Sequence, residues 1–189
     1  MESFALRAGG GTLLIDPLLL DEAAWEALDA VVDGPVETLI TIPYHTRSAA
    51  QARRRYGGSV WGHPAVAKRL EDPGALRVIR AGEELPYGAS AHRIGNPVRY
   101  EMPIFVPERR ALVFGDAVVG TEGGLRVWTQ EPVTGRRGEW YEQRLIPSLR
   151  PLLDLDCERV LVTHGPSVLR SGRRAVERAL AAGPWPDRR

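Results

Sequence analysis

Three side chains stand at the ends of apolar runs and carry the chemistry to hold a cation or move a proton. Asp116 follows ALVFG (111–115), His45 follows ETLITI and a proline, and His164 closes RVLVTH (159–164). A carboxylate and two imidazoles are donors that zinc or manganese accepts, and they are also the residue types of general acid–base catalysis. Their order, H-x70-D-x47-H, has no diagnostic spacing. Only a fold that brings three strand ends together makes them a site. Further polar candidates lie close in sequence: Arg47 and Ser48 in TIPYHTRSAA, His92 in SAHRIGNP and Glu101 in RYEMPIF.

Each candidate also has an ordinary role to weigh. Asp116 can accept backbone hydrogen bonds from its own turn, and His45 can be a satisfied polar residue at a strand end. His164 before Gly165-Pro166 can cap a loop. His63, in VWGHPAV, fits a helix-start turn better than a site. The run Arg53–Arg55 reads as a solvated helix face. Cys157 precedes a buried strand and lacks a convincing base, so packing explains it better than catalysis. No phosphate-cradling loop and no G-x-S-x-G nucleophile elbow is present, and Ser167 has no evident partner acid.

The elements that must position these residues are short. Residues 4–7 and 12–15 predict a hairpin around glycines 9–11, where glycine supplies the positive φ of the turn. The pattern predicts helices over 21–30, 48–57 (with Ser48 as cap), 64–71 and 172–183, and the end of a helix over 149–155. Strands are predicted at 37–42, 59–62, 75–79, 99–107, 111–114, 125–128 and 159–164. Pro103 marks 99–107 as an edge or bulge. Residues 120–144 otherwise read as loop, and WPDRR (185–189) as a frayed tail. Trp128, Trp140 and Tyr141 read as packing between that loop and the core rather than as a pocket cap. Short strands alternating with amphipathic helices point to mixed α/β or α+β layers.

Size and charge narrow the class. A chain of 189 residues suits one domain, and a single cysteine excludes an internal disulfide. A net charge of +1 gives no general electrostatic case for nucleic acid. No run approaches the ~18 uninterrupted apolar residues of a membrane span, so a cytoplasmic protein without membrane contact is the expectation. The length is compatible with a symmetric homodimer.

Taken in order, GTLLIDP, TIPYHTRSAA, ALVFGDAV and RVLVTHGP resemble the metallo-β-lactamase superfamily across nearly the whole chain. The resemblance implies an α+β fold, a four-layer αββα sandwich formed by one domain over residues 1–189, with a metal site on loops at one edge. It sets the H-x-H-x-D-H motif on residues 43–48. There Pro43 stands at the first histidine, His45 matches the second, Arg47 stands at the aspartate and Ser48 at the last histidine. Pro97 falls at another ligand histidine, while Asp116 and His164 are kept. Asp16 matches the aspartate that holds the turn beside the site.

Proline offers no side-chain donor, and arginine stays protonated at any usable pH. The sequence therefore favours a lost or remodelled metal site with no catalytic residue and no cofactor. Arg47 would pair with Asp116, and a small anion would be held near Arg47, Arg93 and Arg99. The alternative is a divergent hydrolase of an ester, thioester or phosphodiester. In it one zinc or manganese ion would sit on His45, Asp116 and His164, with His92 or Glu101 drawn in.

Overall fold

The computed structural model describes residues 1–80, 83–95, 100–130 and 133–186. The chain opens on a hairpin of β1 (Phe4–Ala8) and β2 (Gly11–Ile15), turned at Gly9 and Gly10, both with positive φ. Next come α1 (Glu22–Asp29), β3 (Val36–Ile40), α2 (Ala49–Tyr56), β4 (Val60–Gly62) and β5 (Leu76–Val78). These five strands form one sheet in sequence order, parallel from β2 to β5. Strands β6 (Ser90–Ala91), β7 (Ile104–Val106) and β8 (Ala111–Phe114) run antiparallel to one another. Then β9 (Val118–Thr121) and β10 (Gly124–Trp128) form a hairpin, followed by α3 (Gly135–Trp140) and α4 (Ile146–Leu149). Last come β11 (Arg159–Val162), which pairs parallel with β8, the helix α5 (Gly172–Ala181), and β12 (Pro184–Trp185).

Side-chain alternation sorts the core into layers. Leu13 and Ile15 of β2 pack with Ile104, Val106 and Val113 of the second sheet, forming the apolar seam between the sheets. Leu14, between them, points the other way and packs with Leu28 of α1 and Ala52 of α2. In the same manner Leu112 and Phe114 leave the seam and pack with Leu145, Leu149, Val176 and Ala179 on the helical side. Helices, sheet, sheet and helices thus stack as four layers, as the family resemblance implied. Each fully buried Leu or Ile contributes roughly 2 kcal/mol of burial free energy.

Several local expectations are corrected. Residues 64–71 form a 3-10 turn over Pro64–Arg69, whose first turn His63 caps by accepting from the Ala65 amide at 3.1 Å. Of the strand expected over 99–107, Arg99 lies outside the described residues, and among 100–107 only Ile104–Val106 is strand, because Pro103 has no amide hydrogen to give a ladder. Ser48 does not cap α2; its hydroxyl accepts from the Leu19 amide and donates to the Leu19 carbonyl. The segment after β10 is helical from Gly135 through a π turn (Tyr141–Leu145), α4 and a 3-10 turn (Arg150–Asp154). Gly135, Gly138, Pro147 and Pro151 hide that helix from a propensity reading, and burial of Tyr141, Leu145 and Leu149 decides it. Of the tail 185–189, Trp185 is ordered: with Pro184 it pairs parallel with Val127 and Trp128, and its ring lies under the Arg126 guanidinium at 4.7 Å, while 187–189 lie outside the described residues. Arg53, Arg54 and Arg55 form the exposed basic face expected of them, paired with Asp72, Glu71 and Asp29. Among the described residues no helix is long and apolar enough to cross a membrane.

Cys157 is buried under α5, and burial pushes its thiol up to about 11. A chromogenic thiol reagent at mildly alkaline pH is therefore expected to find no reactive thiol in the folded protein and one per chain in strong denaturant. Rapid labelling of the native protein would contradict this packing.

Candidate metal centre

Two of the three candidate donors are placed by strand register. Val162 of β11 lies opposite Phe114 of β8 in a parallel pair, and Asp116 and His164 follow that pair at equal offsets. They leave the sheet side by side at its C-terminal edge. Gly115, between Phe114 and Asp116, fits because a Cβ there would lie 2.4 Å from Thr41 Oγ1. The Thr163 hydroxyl donates to the Gly115 carbonyl and ties the two strand ends together.

The third donor crosses from the other sheet. After β3 the chain makes a 3-10 turn, Pro43–His45, with proline at its first position. Asp16, at the end of β2, fixes His45. Asp16 is fully buried with a left-handed φ of 50°. Its Oδ1 accepts the Thr41 amide at 2.8 Å, and its Oδ2 accepts the Thr41 hydroxyl and meets His45 Nδ1 at 2.9 Å. An ionised carboxylate only accepts, so Nδ1 carries the hydrogen and Nε2 faces the site. Contacts of this kind orient the imidazole in metal-binding histidines generally.

The result is a compact cluster. His45 Nε2 lies 3.5 Å and His164 Nε2 3.2 Å from Asp116 Oδ1, and donor atoms of all three residues fall within 4.8 Å of one another. Two ligands each ~2.1 Å from one ion at a tetrahedral angle are about 3.4 Å apart, which both Asp116–imidazole separations match, and three protein donors leave a place for water. His45 and Asp116 are buried, while His164 is half-buried at the pocket wall. The donor set thus fits one metal ion. The residues at 43, 47 and 48 add no donor for a second.

The remaining sequence candidates take other places. Glu101 is buried behind the site, and its Oε1 accepts the Gly115 and Asp116 amides at 3.1 and 2.9 Å, so it shapes the turn that presents Asp116. His92 lies off the pocket wall with Nε2 3.2 Å from the Ser90 hydroxyl, and burial pulls its pKa down. Ser48 is spent on Leu19. Pro97 and Arg99 lie outside the described residues, and Arg93 does not line the pocket. The direct pair expected between Arg47 and Asp116 does not form. Instead Arg47, with φ of 32°, donates from Nη1 to the carbonyls of Glu2 and Asp16, both at 3.3 Å. Burial lowers the pKa of its guanidinium, and the charges of Asp16 and Asp116 partly restore it. Asp116 meets the two imidazoles.

The cluster opens into a pocket of about 1040 Å³, whose wall includes Leu18, Ile42, Tyr44, Tyr100, Trp128 and Trp140 with Arg47, Arg136 and Arg137. Trp140 packs against the core as expected but also lines the pocket, Trp128 lines it too, and Tyr141 is core. The aromatic count of the 128–141 segment was the available signal. What the sequence could not supply was the helix that turns Trp140 toward the pocket, its indole donating to the Gly95 carbonyl at 3.1 Å.

No protein-family model and no curated protein matches the chain. Solved structures do. An archaeal metallo-β-lactamase superfamily protein from Sulfolobus tokodaii superposes with a TM-score of 0.67 at 16% identity, covering 94% of this chain and 78% of its own. TTHA1623, solved in a di-iron-bound form, gives 0.61 at 21% identity, with 88% of each chain covered. A metallo-β-lactamase from Pontibacter korlensis gives 0.60 at 15% identity, covering 96% of this chain and 87% of its own. The chain therefore has the metallo-β-lactamase fold, an α+β fold with a His–Asp–His cluster at one edge of its sheets.

Replacing Asp16 by alanine would leave a buried amide, a hydroxyl and an imidazole without their acceptor. At ~1–3 kcal/mol for each buried polar group left unpaired, a loss of roughly 3 kcal/mol or more is expected in urea unfolding. A change below about 1 kcal/mol would mean that this linkage does not hold the site together.

Proposed function

We propose that the protein is a metal-dependent hydrolase with a single-ion centre. His45 Nε2, Asp116 and His164 Nε2 hold the ion, and the substrate is an ester, thioester or phosphodiester small enough for the pocket. The observation that carries this reading is the convergence of three donors with His45 already turned by Asp16. A bound divalent ion supplies Lewis acidity and a water of lowered pKa. The protein's own part is to fix the donors and to shape a partly dry pocket. Asp16 and Thr41 keep the His45 ring from rotating. Glu101 holds the backbone of Asp116 at a fixed angle. Trp128 and Trp140 supply apolar wall, and Tyr44 and Tyr100 stand exposed at the rim.

A second reading keeps the pocket but not the ion, with a small anion bound by Arg47 and no catalysis. The half-buried guanidinium on the pocket wall favours it. The two separate on metal content. Protein purified without chelator and dialysed against zinc or manganese is expected to retain about one ion per chain by elemental analysis. H45A, D116A and H164A are each expected to abolish that retention. D16N is expected to weaken it roughly 10–100-fold, as loss of an outer partner does. Turnover of a generic aryl ester or phosphodiester should follow metal content. Wild-type protein that stays metal-free under these conditions would leave the anion-binding reading in possession of the pocket.

A further inference from the structure

Arg47 is a cation whose partners are all neutral. Its Nη1 hydrogens are taken by the carbonyls of Glu2 and Asp16, and Nη2 meets the thioether of Met1 at 3.6 Å, a weak acceptor. Among the described residues no carboxylate lies within ion-pair distance of it, although other arginines of this protein, Arg54, Arg55 and Arg110 among them, are paired with acids on the exposed surface. A half-buried guanidinium whose hydrogen-bond partners are carbonyls and a thioether carries a desolvation cost that the nearby charges of Asp16 and Asp116 offset only in part. Two further features show that the position is held rather than tolerated. The backbone at Arg47 has a left-handed φ, which a long side chain avoids unless its surroundings impose it. And the two carbonyls claim Nη1, while Nη2 has only the Met1 sulfur, which a charged acceptor would readily displace.

The rest of the wall says what such a guanidinium would be for. The pocket that contains Arg47 is lined by Leu18, Ile42, Trp128 and Trp140, an apolar and aromatic surface large enough for a ligand body of drug size. Arg136 is exposed, and Arg137 is already engaged, donating to the Gln130 carbonyl at 2.9 Å. We infer that Arg47 is an anion anchor and that the pocket takes an amphipathic acid: a carboxylate or phosphate on Nη2 of Arg47, with an apolar body against Trp128 and Trp140. This deepens the single-ion reading by naming the substrate class, and rests on it only for the chemistry done to that substrate.

The test uses chelator-treated, metal-free protein, so that no ion can hold the anion, and repeats each titration after metal loading. The probes are phenylbutyrate, its neutral counterpart phenylbutanol, and phenyl phosphate, followed by calorimetry and by tryptophan fluorescence. In metal-free protein the two acids are expected to bind about tenfold more tightly than the alcohol, the worth of a charge-assisted hydrogen-bonded pair. Which acid binds more tightly tells carboxylate from phosphate. R47Q is expected to reduce the preference below about twofold while leaving phenylbutanol binding unchanged, and W140A to weaken acids and alcohol alike. If R47Q does not fold, R47K, which keeps the charge without the fork, is expected to weaken the acids alone. Equal binding of acid and alcohol by metal-free wild type overturns the inference. So does a preference seen only after metal loading, which would make the ion the anchor, and so does a preference that R47Q retains. Failure of the protein to take up metal bears on the single-ion reading alone, because the deciding titrations are done without it.

Discussion

A buried carboxylate must be surrounded by donors, and at Asp16 that requirement organises the edge of the molecule. Thr41 gives it an amide and a hydroxyl, and His45 gives it a ring nitrogen. To bring those groups within reach, β3 must end beside β2 and the chain must turn at once through Pro43. The left-handed backbone of Asp16 itself is part of the arrangement. The acid thus joins two parallel strands, sets a short turn and aims an imidazole, although it does not face the pocket. Energetically the linkage is strong because it is dry: a donor that loses this acceptor has no water to turn to.

Much of the architecture was legible because β-structure and buried helices leave clear periodic marks. The second strand of the hairpin at Gly9-Gly10, the run ahead of Asp116 and Val160–Val162 have side chains buried on both faces, and they read as strands. The helix after Trp128 was illegible for a definite reason. Its glycines and prolines argue against helix one residue at a time, while the stabilising burial of Tyr141, Leu145 and Leu149 is set by a sheet far away in sequence. Trp185 was missed similarly: nothing in Pro184-Trp185 announces a strand, yet β10 offers an edge to pair with and the Trp185 ring has a guanidinium to stack on.

The site divides along the same line. That Asp116, His45 and His164 belong together came from motif order, and their convergence needed only the fold. Where side chains point was not legible. Arg47 carries the opposite charge to Asp116 and lies close enough to feel it, so a direct pair was the natural expectation. The left-handed backbone sends its guanidinium instead to two carbonyls. Glu101 is the reverse case. A lone acid after a loop looks like a spare ligand, yet two backbone amides claim it. Charge and residue type named the participants, and local φ decided their roles.

The parallel pairing of β8 with β11 has a consequence for tolerance to change. Since the two donors that follow those strands are set by ladder register, the forty-odd residues joining them do not enter the distance between them. Insertions in the β9–β10 hairpin or among the helices would reshape what the cavity admits, whereas a single residue added between Phe114 and Asp116 would swing one donor out of reach. On that side of the cavity, from Trp128 to Trp140, the wall and the spacing of Asp116 and His164 are written in separable stretches of chain, whereas Ile42, Tyr44 and Arg47 share a stretch with His45.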